Sequence, residues 1–141
     1  MIFEISPYVG AGKISFGMSP LQVKEILDDT PSSFLKVTSD STSSEHYERE
    51  SLFIYYKEPL MVEAIEFYSP ANIVFKYKRL LELSYTELKG FLLNLDPELE
   101  IEADSLTSYK LGIGAYTPNA DEDTSLSVES IIVFEKDYYE L

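Results

Sequence analysis

Two segments of this chain, 65 residues apart, carry the same signal for the beginning of an α-helix. Ser19 is followed by Pro20 and Gln22, and Ser84 is followed by Glu87. In each segment the serine hydroxyl can accept from a free backbone amide, while the Gln or Glu side chain bonds back to the serine amide, which is a capping box. Pro20 also suits the first helical position. Both patterns predict short helices of about ten residues, because polar and helix-breaking residues soon follow.

Most of the remaining chain shows the apolar runs and turn signals of β-strands. The predicted strands form two antiparallel hairpins and one further strand: 52–56 with 62–68, 109–116 with 128–134 across the acidic loop 117–127, and 73–77. The segment 32–44 is rich in serine and threonine and has no periodic apolar pattern. It is therefore predicted to be mostly loop.

The order helix, strand, strand occurs twice along the chain. The sequence VEAI at 62–65 is matched 66 positions later by VESI at 128–131, and 52–59 is matched more loosely by 111–118. Self-similarity over a long period predicts an internal repeat. Chance is the alternative, since capping boxes and Val/Ile strands are common in any α+β domain.

These patterns predict an α+β fold, with two short capped helices packed on an antiparallel β-sheet. A length of 141 residues, 45% of them apolar, suits one domain with a packed core. We therefore expect a single domain over residues 1–141. It is expected to contain two pseudo-repeats at 10–78 and 79–141, each a helix plus a β-hairpin.

Charge and composition exclude several classes of function. The chain has 25 acidic and 11 basic residues, a net charge of −14 and a pI near 4.3. This charge disfavours nucleic acid and anionic membranes as partners, since both require a basic surface. The absence of cysteine excludes disulfides and thiolate chemistry. No apolar run approaches the ~20 residues of a membrane span, and the N-terminus lacks a basic signal-peptide region, so a cytoplasmic location is expected.

The negative charge is concentrated in the second half of the chain. Residues 81–141 hold 14 acidic and 3 basic residues, whereas residues 1–80 hold 11 and 8. One interpretation is a solvated acidic surface that favours solubility. The other is an electrostatic attractor for a basic partner, which would raise the rate of association.

The motifs that would indicate catalysis or metal binding do not match their templates. The segment 10–15 lacks the first glycine and the final Ser or Thr of a phosphate-binding loop. His46, the single histidine, has no nucleophile motif beside it and is interpreted as a surface imidazole among carboxylates. The acidic segment 121–125 lacks the glycine and glutamate of an EF-hand loop. We expect no enzyme activity, no cofactor and no metal site.

The segment 12–23, GKISFGMSPLQV, resembles the G-x-I-x-[LF]-G-M-S-x-x-x-V opening of many small bacterial proteins. It is similar to domains of the BamE lipoprotein family and of the β-lactamase inhibitor protein family, and to neighbours of polymorphic-toxin genes. The resemblance implies tandem helix-plus-sheet repeats and an inhibitor-like role. The chain lacks the lipid-bearing cysteine of BamE and the disulfides of the secreted inhibitor. Without these features, the resemblance implies an intracellular, acidic inhibitor of the bacterial immunity-protein type.

We therefore predict first that the chain is an immunity protein or antitoxin that blocks the active site of a basic toxin domain. A nuclease is the favoured kind of toxin. Exposed carboxylates and C-terminal tyrosines are the candidate contact residues, because aromatic anchors and charge complementarity dominate such interfaces. They are Glu98, Glu100, Glu102, Asp104, Asp121, Glu122, Asp123, Asp137, Tyr138 and Tyr139. The alternatives are a small enzyme or ligand-binding domain that uses dispersed carboxylates and tyrosines, and a structural subunit of an assembly.

Overall fold

The computed structural model describes residues 1–35 and 42–139. The two predicted helices are confirmed as α1 (Pro20–Leu27) and α2 (Tyr85–Leu95). Both capping boxes are formed: the serine hydroxyl accepts from the amide three residues later, at 3.2 Å in α1 and 3.1 Å in α2. The Gln22 and Glu87 side chains bond back to the serine amides at 2.9 and 3.0 Å.

The described part of the chain contains thirteen short strands. In chain order they are β1 (Ile2–Ser6), β2 (Gly10–Ala11), β3 (Ile14–Ser15), β4 (Ser32–Phe34), β5 (Ser44–Tyr47), β6 (Leu52–Lys57), β7 (Met61–Tyr68), β8 (Asn72–Phe75), β9 (Lys78–Arg79), β10 (Glu100–Ile101), β11 (Ser105–Ser108), β12 (Ile113–Tyr116) and β13 (Ser130–Phe134). With α1 and α2 they make the α+β fold that the sequence predicts.

The strands form two sheets. The larger is fully antiparallel and has the order β10-β11-β12-β13-β7-β6-β5-β4. The smaller has the order β3-β2-β1-β8-β9, with β1 and β8 parallel to each other. Both predicted hairpins are present in the larger sheet, as β6–β7 and β12–β13.

The larger sheet consists of two similar halves. Each half is a helix followed by four antiparallel strands, α1 with β4–β7 and α2 with β10–β13, so the unit is larger than the predicted helix plus hairpin. The halves meet where β7 pairs with β13, and the central pair of that contact is Glu66 with Ile132, 66 positions apart. A shift by 66 positions turns the pair Ile65–Val133 into Ile131–Phe67, so the contact has an approximate two-fold relation.

The strands β6 and β12, which precede β7 and β13, correspond to each other at a spacing that differs from the one predicted from sequence. Leu52 lies opposite Phe67, and Ile113 lies opposite Val133, so Leu52 corresponds to Ile113 at a spacing of 61 rather than 59. The difference of two residues leaves each side chain on the same face, because side chains alternate along a strand. That the two halves arose by duplication stays a prediction.

The segment 32–44 was predicted to be mostly loop, but both of its ends contain strand. Ser32–Phe34 forms β4 and Ser44 begins β5, while residues 36–41 lie outside the described residues. The strand β4 is at the edge of its sheet and pairs only with β5, with Ser32 and Ser33 exposed. An edge strand with solvated side chains needs no alternating apolar pattern, which explains why no strand signal is found in this segment.

One face of the larger sheet is covered and the other is open. Leu52, Ile54, Ile65 and Phe67 project from the covered face into the main core, which includes side chains from both helices and from β1 and β8. Neighbouring positions on the same strands project to the opposite face and form a smaller aromatic cluster around Phe134. This open face carries the candidate site.

Candidate functional site

A cleft of about 450 Å³ lies on the open face of the larger sheet, in its C-terminal half. It extends over β11, β12 and β13 and reaches β6 and β7 in the middle of the sheet. Five tyrosines and three glutamates line it, and we call it the tyrosine cleft: Tyr55, Tyr109, Tyr116, Tyr138, Tyr139, Glu66, Glu100 and Glu102. No lysine, arginine or histidine is among the described residues that line it. Its electrostatic character is therefore negative.

The floor of the cleft is kept low by small residues on its central strands. Gly114 on β12 and Ser130 on β13 both line it. A Cβ atom at position 114 would lie 2.9 Å from Cγ2 of Ile132, which is closer than real contacts allow. The Ile132 methyl group already occupies the space that a side chain at position 114 would need, so glycine is the residue that fits here without displacing it.

Glu66 is held in place on the floor by two neutral hydrogen-bond donors. The Tyr55 hydroxyl donates to its Oε1 at 2.5 Å, and the Ser130 hydroxyl donates to its Oε2 at 2.6 Å. Burial, followed by the nearby Glu66 carboxylate, raises the pKa of Tyr55, so this phenol remains a donor. Within residues 1–35 and 42–139, no lysine, arginine or histidine forms an ion pair with Glu66. Its position is fixed by hydroxyl groups, without a cationic partner among the residues that the structure describes.

Tyrosine rings packed edge to face form the wall of the cleft on its C-terminal side. The ring centroid of Tyr139 lies 5.0 Å from that of Tyr138, 5.9 Å from that of Tyr109 and 5.0 Å from that of Phe134. Burial raises the pKa of both Tyr109 and Tyr139. These contacts give the wall a rigid aromatic surface with protonated hydroxyls.

The same tyrosines separate this cleft from a second one of about 590 Å³. Tyr109, Tyr138 and Tyr139 line both, and the second is also bounded by Tyr8 and Asp137. The hydroxyl of Tyr8 donates to the backbone carbonyl of Tyr109, which ties the turn after β1 to the wall. The two clefts therefore share a wall of tyrosines.

Two carboxyl groups stand side by side at the rim of the tyrosine cleft. Glu100 and Glu102 are both exposed, on and just after the edge strand β10. A hydrogen bond with Glu100, followed by the charge of that carboxylate, raises the pKa of Glu102. The Tyr109 hydroxyl donates to Glu100 at 3.3 Å. The rim therefore holds two like charges that repel each other when both groups are ionised.

We expect this pairing to be visible in a carboxyl-carbon NMR titration. The Glu102 midpoint should lie above the usual glutamate range, and Glu100→Gln should lower it towards that range. Glu87 is the internal control, because its bonds to the Ser84 amide and hydroxyl lower its pKa. As pH rises through the glutamate range, the folded state keeps the Glu102 proton longer than the unfolded state, so this pair destabilises the fold there. A Glu102 midpoint that does not respond to Glu100→Gln would contradict the pairing.

The structure brings together only some of the residues predicted from sequence. Glu100, Glu102, Tyr138 and Tyr139 line the tyrosine cleft, and Asp137 lines the second cleft. Glu98 and Asp104 are exposed but do not line the tyrosine cleft.

The acidic loop with Asp121, Glu122 and Asp123 lies elsewhere, at the start of α2. Backbone amides of Tyr85 and Thr86 donate to carbonyls at 126 and 124. The Asp123 carboxylate accepts from the amide and hydroxyl of Ser125 at 2.9 and 2.5 Å, which lowers its pKa. The loop is thus folded on the helix and does not line the cleft.

Sequence reasoning missed the centre of the site. Glu66, Tyr55, Tyr109 and Ser130 occupy strand or strand-end positions, where they were counted only as part of the strand pattern. One signal was available for Glu66, since it alternates with the apolar Ile65 and Phe67 and must point to the opposite face. The cross-strand contacts with Tyr55 and Ser130 depend on long-range pairing and left no local signal.

The neighbours predicted for His46 were also wrong. The side chain is half-buried and stacks on the Phe53 ring, with centroids 4.3 Å apart. Its Nε2 atom lies 2.7 Å from the Tyr68 hydroxyl. His46 therefore lies among aromatic rings on the open face of the larger sheet, whereas the prediction placed it among carboxylates. In the described residues, no group of three or more His, Asp or Glu side chains could hold a metal ion.

Comparison of the chain with protein-family models, with curated proteins and with solved structures finds no match. The resemblance of residues 12–23 to the BamE and β-lactamase inhibitor protein families therefore stays a prediction. Neither helix in the described part of the chain combines the length and apolar character needed to cross a membrane.

Proposed function

We propose that this chain is a non-enzymatic binding protein of the immunity-protein or antitoxin class, which neutralises a basic toxin domain in the cytoplasm. The tyrosine cleft is its docking surface. The observation that carries the proposal is the composition of that cleft, in which five tyrosines and three glutamates are accompanied by no basic side chain among the described lining residues. A basic segment of a partner supplies the charge that this surface lacks.

Long-range electrostatics support a basic partner. With a net charge of −14, the chain attracts a positively charged protein before contact and raises the association rate at low salt. A nuclease domain is the favoured partner, because its phosphate-binding surface is basic. Carboxylates of the cleft rim would then occupy positions meant for phosphate and block the active site.

The aromatic wall supports tight contact once the partner has docked. Tyrosine provides a rigid apolar ring with a polar hydroxyl and is enriched among residues that dominate binding energy. Tyr116 and Tyr139 keep 47% and 42% of their surface exposed, so both are available to a partner. A standard interface buries about 800 Å² on each side, which exceeds the cleft and would include the surrounding rim.

A pull-down with matched charge-reversal variants tests the proposal. The tagged full chain, the cleft variant Glu100→Lys/Glu102→Lys and the loop variant Asp121→Lys/Glu122→Lys are exposed to native lysate at low salt. The two variants change the net charge equally and differ only in its position. We expect one basic protein to bind the unmodified chain and the loop variant, to elute as salt rises and to be lost from the cleft variant.

A growth assay then separates inhibition from simple binding. The captured protein should be toxic when expressed alone, and co-expression of the unmodified chain should restore growth, whereas the cleft variant should not. Equal loss of binding in both variants would indicate a diffuse charge effect and contradict the cleft as the docking surface. Recovery of no basic protein at low salt would contradict the function itself.

A further inference from the structure

We propose that the tyrosine cleft is a pocket for an arginine side chain of the partner, with Glu66 at its floor as the acceptor of the guanidinium group. The inference rests on the proposed function, since the arginine belongs to the basic partner. It adds the chemical group that is recognised and the residue that recognises it.

The first argument is the state of the Glu66 carboxylate. Each of its oxygens accepts one hydrogen bond from a neutral hydroxyl, at 2.5 Å from Tyr55 and 2.6 Å from Ser130. A carboxylate oxygen has two acceptor sites, so one site on each oxygen remains for a further donor. A guanidinium group presents two parallel N–H donors at the spacing of two carboxylate oxygens. The hydroxyls hold the carboxylate in place, so a cation would meet an oriented acceptor.

The second argument is the aromatic wall above this floor. Tyr138 and Tyr139 line the cleft together with Glu66, and their edge-to-face packing at 5.0 Å fixes the rings. A guanidinium is planar and weakly hydrated, so it stacks on such rings more readily than an ammonium group does. This combination of aromatic rings and an oriented carboxylate favours arginine over lysine.

The third argument is the charge repulsion between two carboxyl groups at the rim of the tyrosine cleft. Glu100 and Glu102 stand side by side, and the pKa of Glu102 is raised by its neighbour. A cation entering the cleft relieves this repulsion. A metal ion is a poorer occupant than an organic cation, because the described residues contain no group of three or more side chains that could hold one.

Titration of the full chain with small probes tests this pocket by two-dimensional amide NMR at low salt. The probes are N-acetyl-arginine amide, N-acetyl-lysine amide and N-acetyl-citrulline amide, of which citrulline has the shape of arginine without its charge. We expect saturable shifts on β7, β11, β12 and β13 with arginine, several-fold weaker binding with lysine and no saturation with citrulline. Equal shifts with arginine and citrulline, or equal affinity for arginine and lysine, would overturn the inference, and this comparison needs no variant.

A matched pair of variants then locates the acceptor. Glu66→Gln should raise the dissociation constant for the arginine probe at least about tenfold, because a charge-assisted hydrogen-bonded pair is lost. Glu122→Gln removes the same charge from the loop on α2 and should leave the constant unchanged. Amide spectra of both variants must retain the dispersion of the unmodified chain. Unchanged binding in Glu66→Gln, or shifts centred on residues 121–123, would overturn the assignment.

The outcomes also separate this inference from the proposed function. A toxin captured through the cleft, with no saturable arginine binding, would leave the function standing and remove the pocket. Saturable arginine binding that depends on Glu66, with no basic protein captured, would leave the pocket standing and remove the function.

Discussion

Phe67→Ala should lower the free energy of unfolding by about 3–5 kcal/mol, the usual cost of removing a fully buried phenylalanine. Phe67 is inaccessible to solvent on the covered face of β7, and its ring lies 5.0 Å from that of Phe3 on β1. Its strand neighbours are Leu52 and Ile131, one from each half of the larger sheet. The side chain therefore packs where both halves and the smaller sheet meet, so the cavity left by alanine has little freedom to collapse.

Denaturant unfolding followed by far-ultraviolet circular dichroism measures this loss. Tyr77→Ala is the matched control, because it also truncates an aromatic side chain but at a fully exposed position in the turn between β8 and β9. A substitution of this kind at the surface should change the free energy of unfolding by no more than about 0.5 kcal/mol. The free energy of unfolding of a small domain is about 5–15 kcal/mol in total. If Phe67→Ala lowered it by less than about 1 kcal/mol, the two sheets would not share this core.

The parts of the fold that depend on neighbouring residues could be predicted from sequence. Both helices were located from their capping boxes, because every group in such a box lies within four residues of the others. The hairpins β6–β7 and β12–β13 were predicted for the same reason, since each joins consecutive strands. The spacing of 66 residues between 62–65 and 128–131 predicted a repeat, but it did not predict that β7 and β13 pair with each other.

The remaining features depend on distant residues and gave no local signal. The parallel pairing of β1 with β8 joins segments about 70 positions apart, and nothing in either segment specifies the other. The same limit applies to the cleft, where the Glu66 carboxylate receives its donors from β6 and β13. Sequence therefore indicated an acidic second half but not which of its side chains meet.

Charge counting also overstated the acidic surface, as Asp96 shows. The sequence groups it with its exposed acidic neighbours, yet only 4% of it is accessible. Its Oδ2 atom accepts from the Ser108 hydroxyl at 2.7 Å, and its Oδ1 atom accepts from the Glu98 amide at 3.0 Å. The Ser108 hydroxyl oxygen in turn accepts from the Leu111 amide at 3.1 Å. This buried network ties the end of α2 to β11 and to the turn that follows it.

Asp96→Ala should consequently lower the free energy of unfolding by about 2–4 kcal/mol, because it removes charge-assisted hydrogen bonds and leaves buried donors unpaired. Asp121→Ala, at an exposed position in the acidic loop, is the matched control and should stay within about 0.5 kcal/mol. Asp96→Asn keeps an oxygen acceptor, so it should lower the free energy of unfolding by less than Asp96→Ala does. If Asp96→Ala were as mild as Asp121→Ala in denaturant unfolding, the network would not stabilise the fold, and Asp96 would belong with the solvated carboxylates after all.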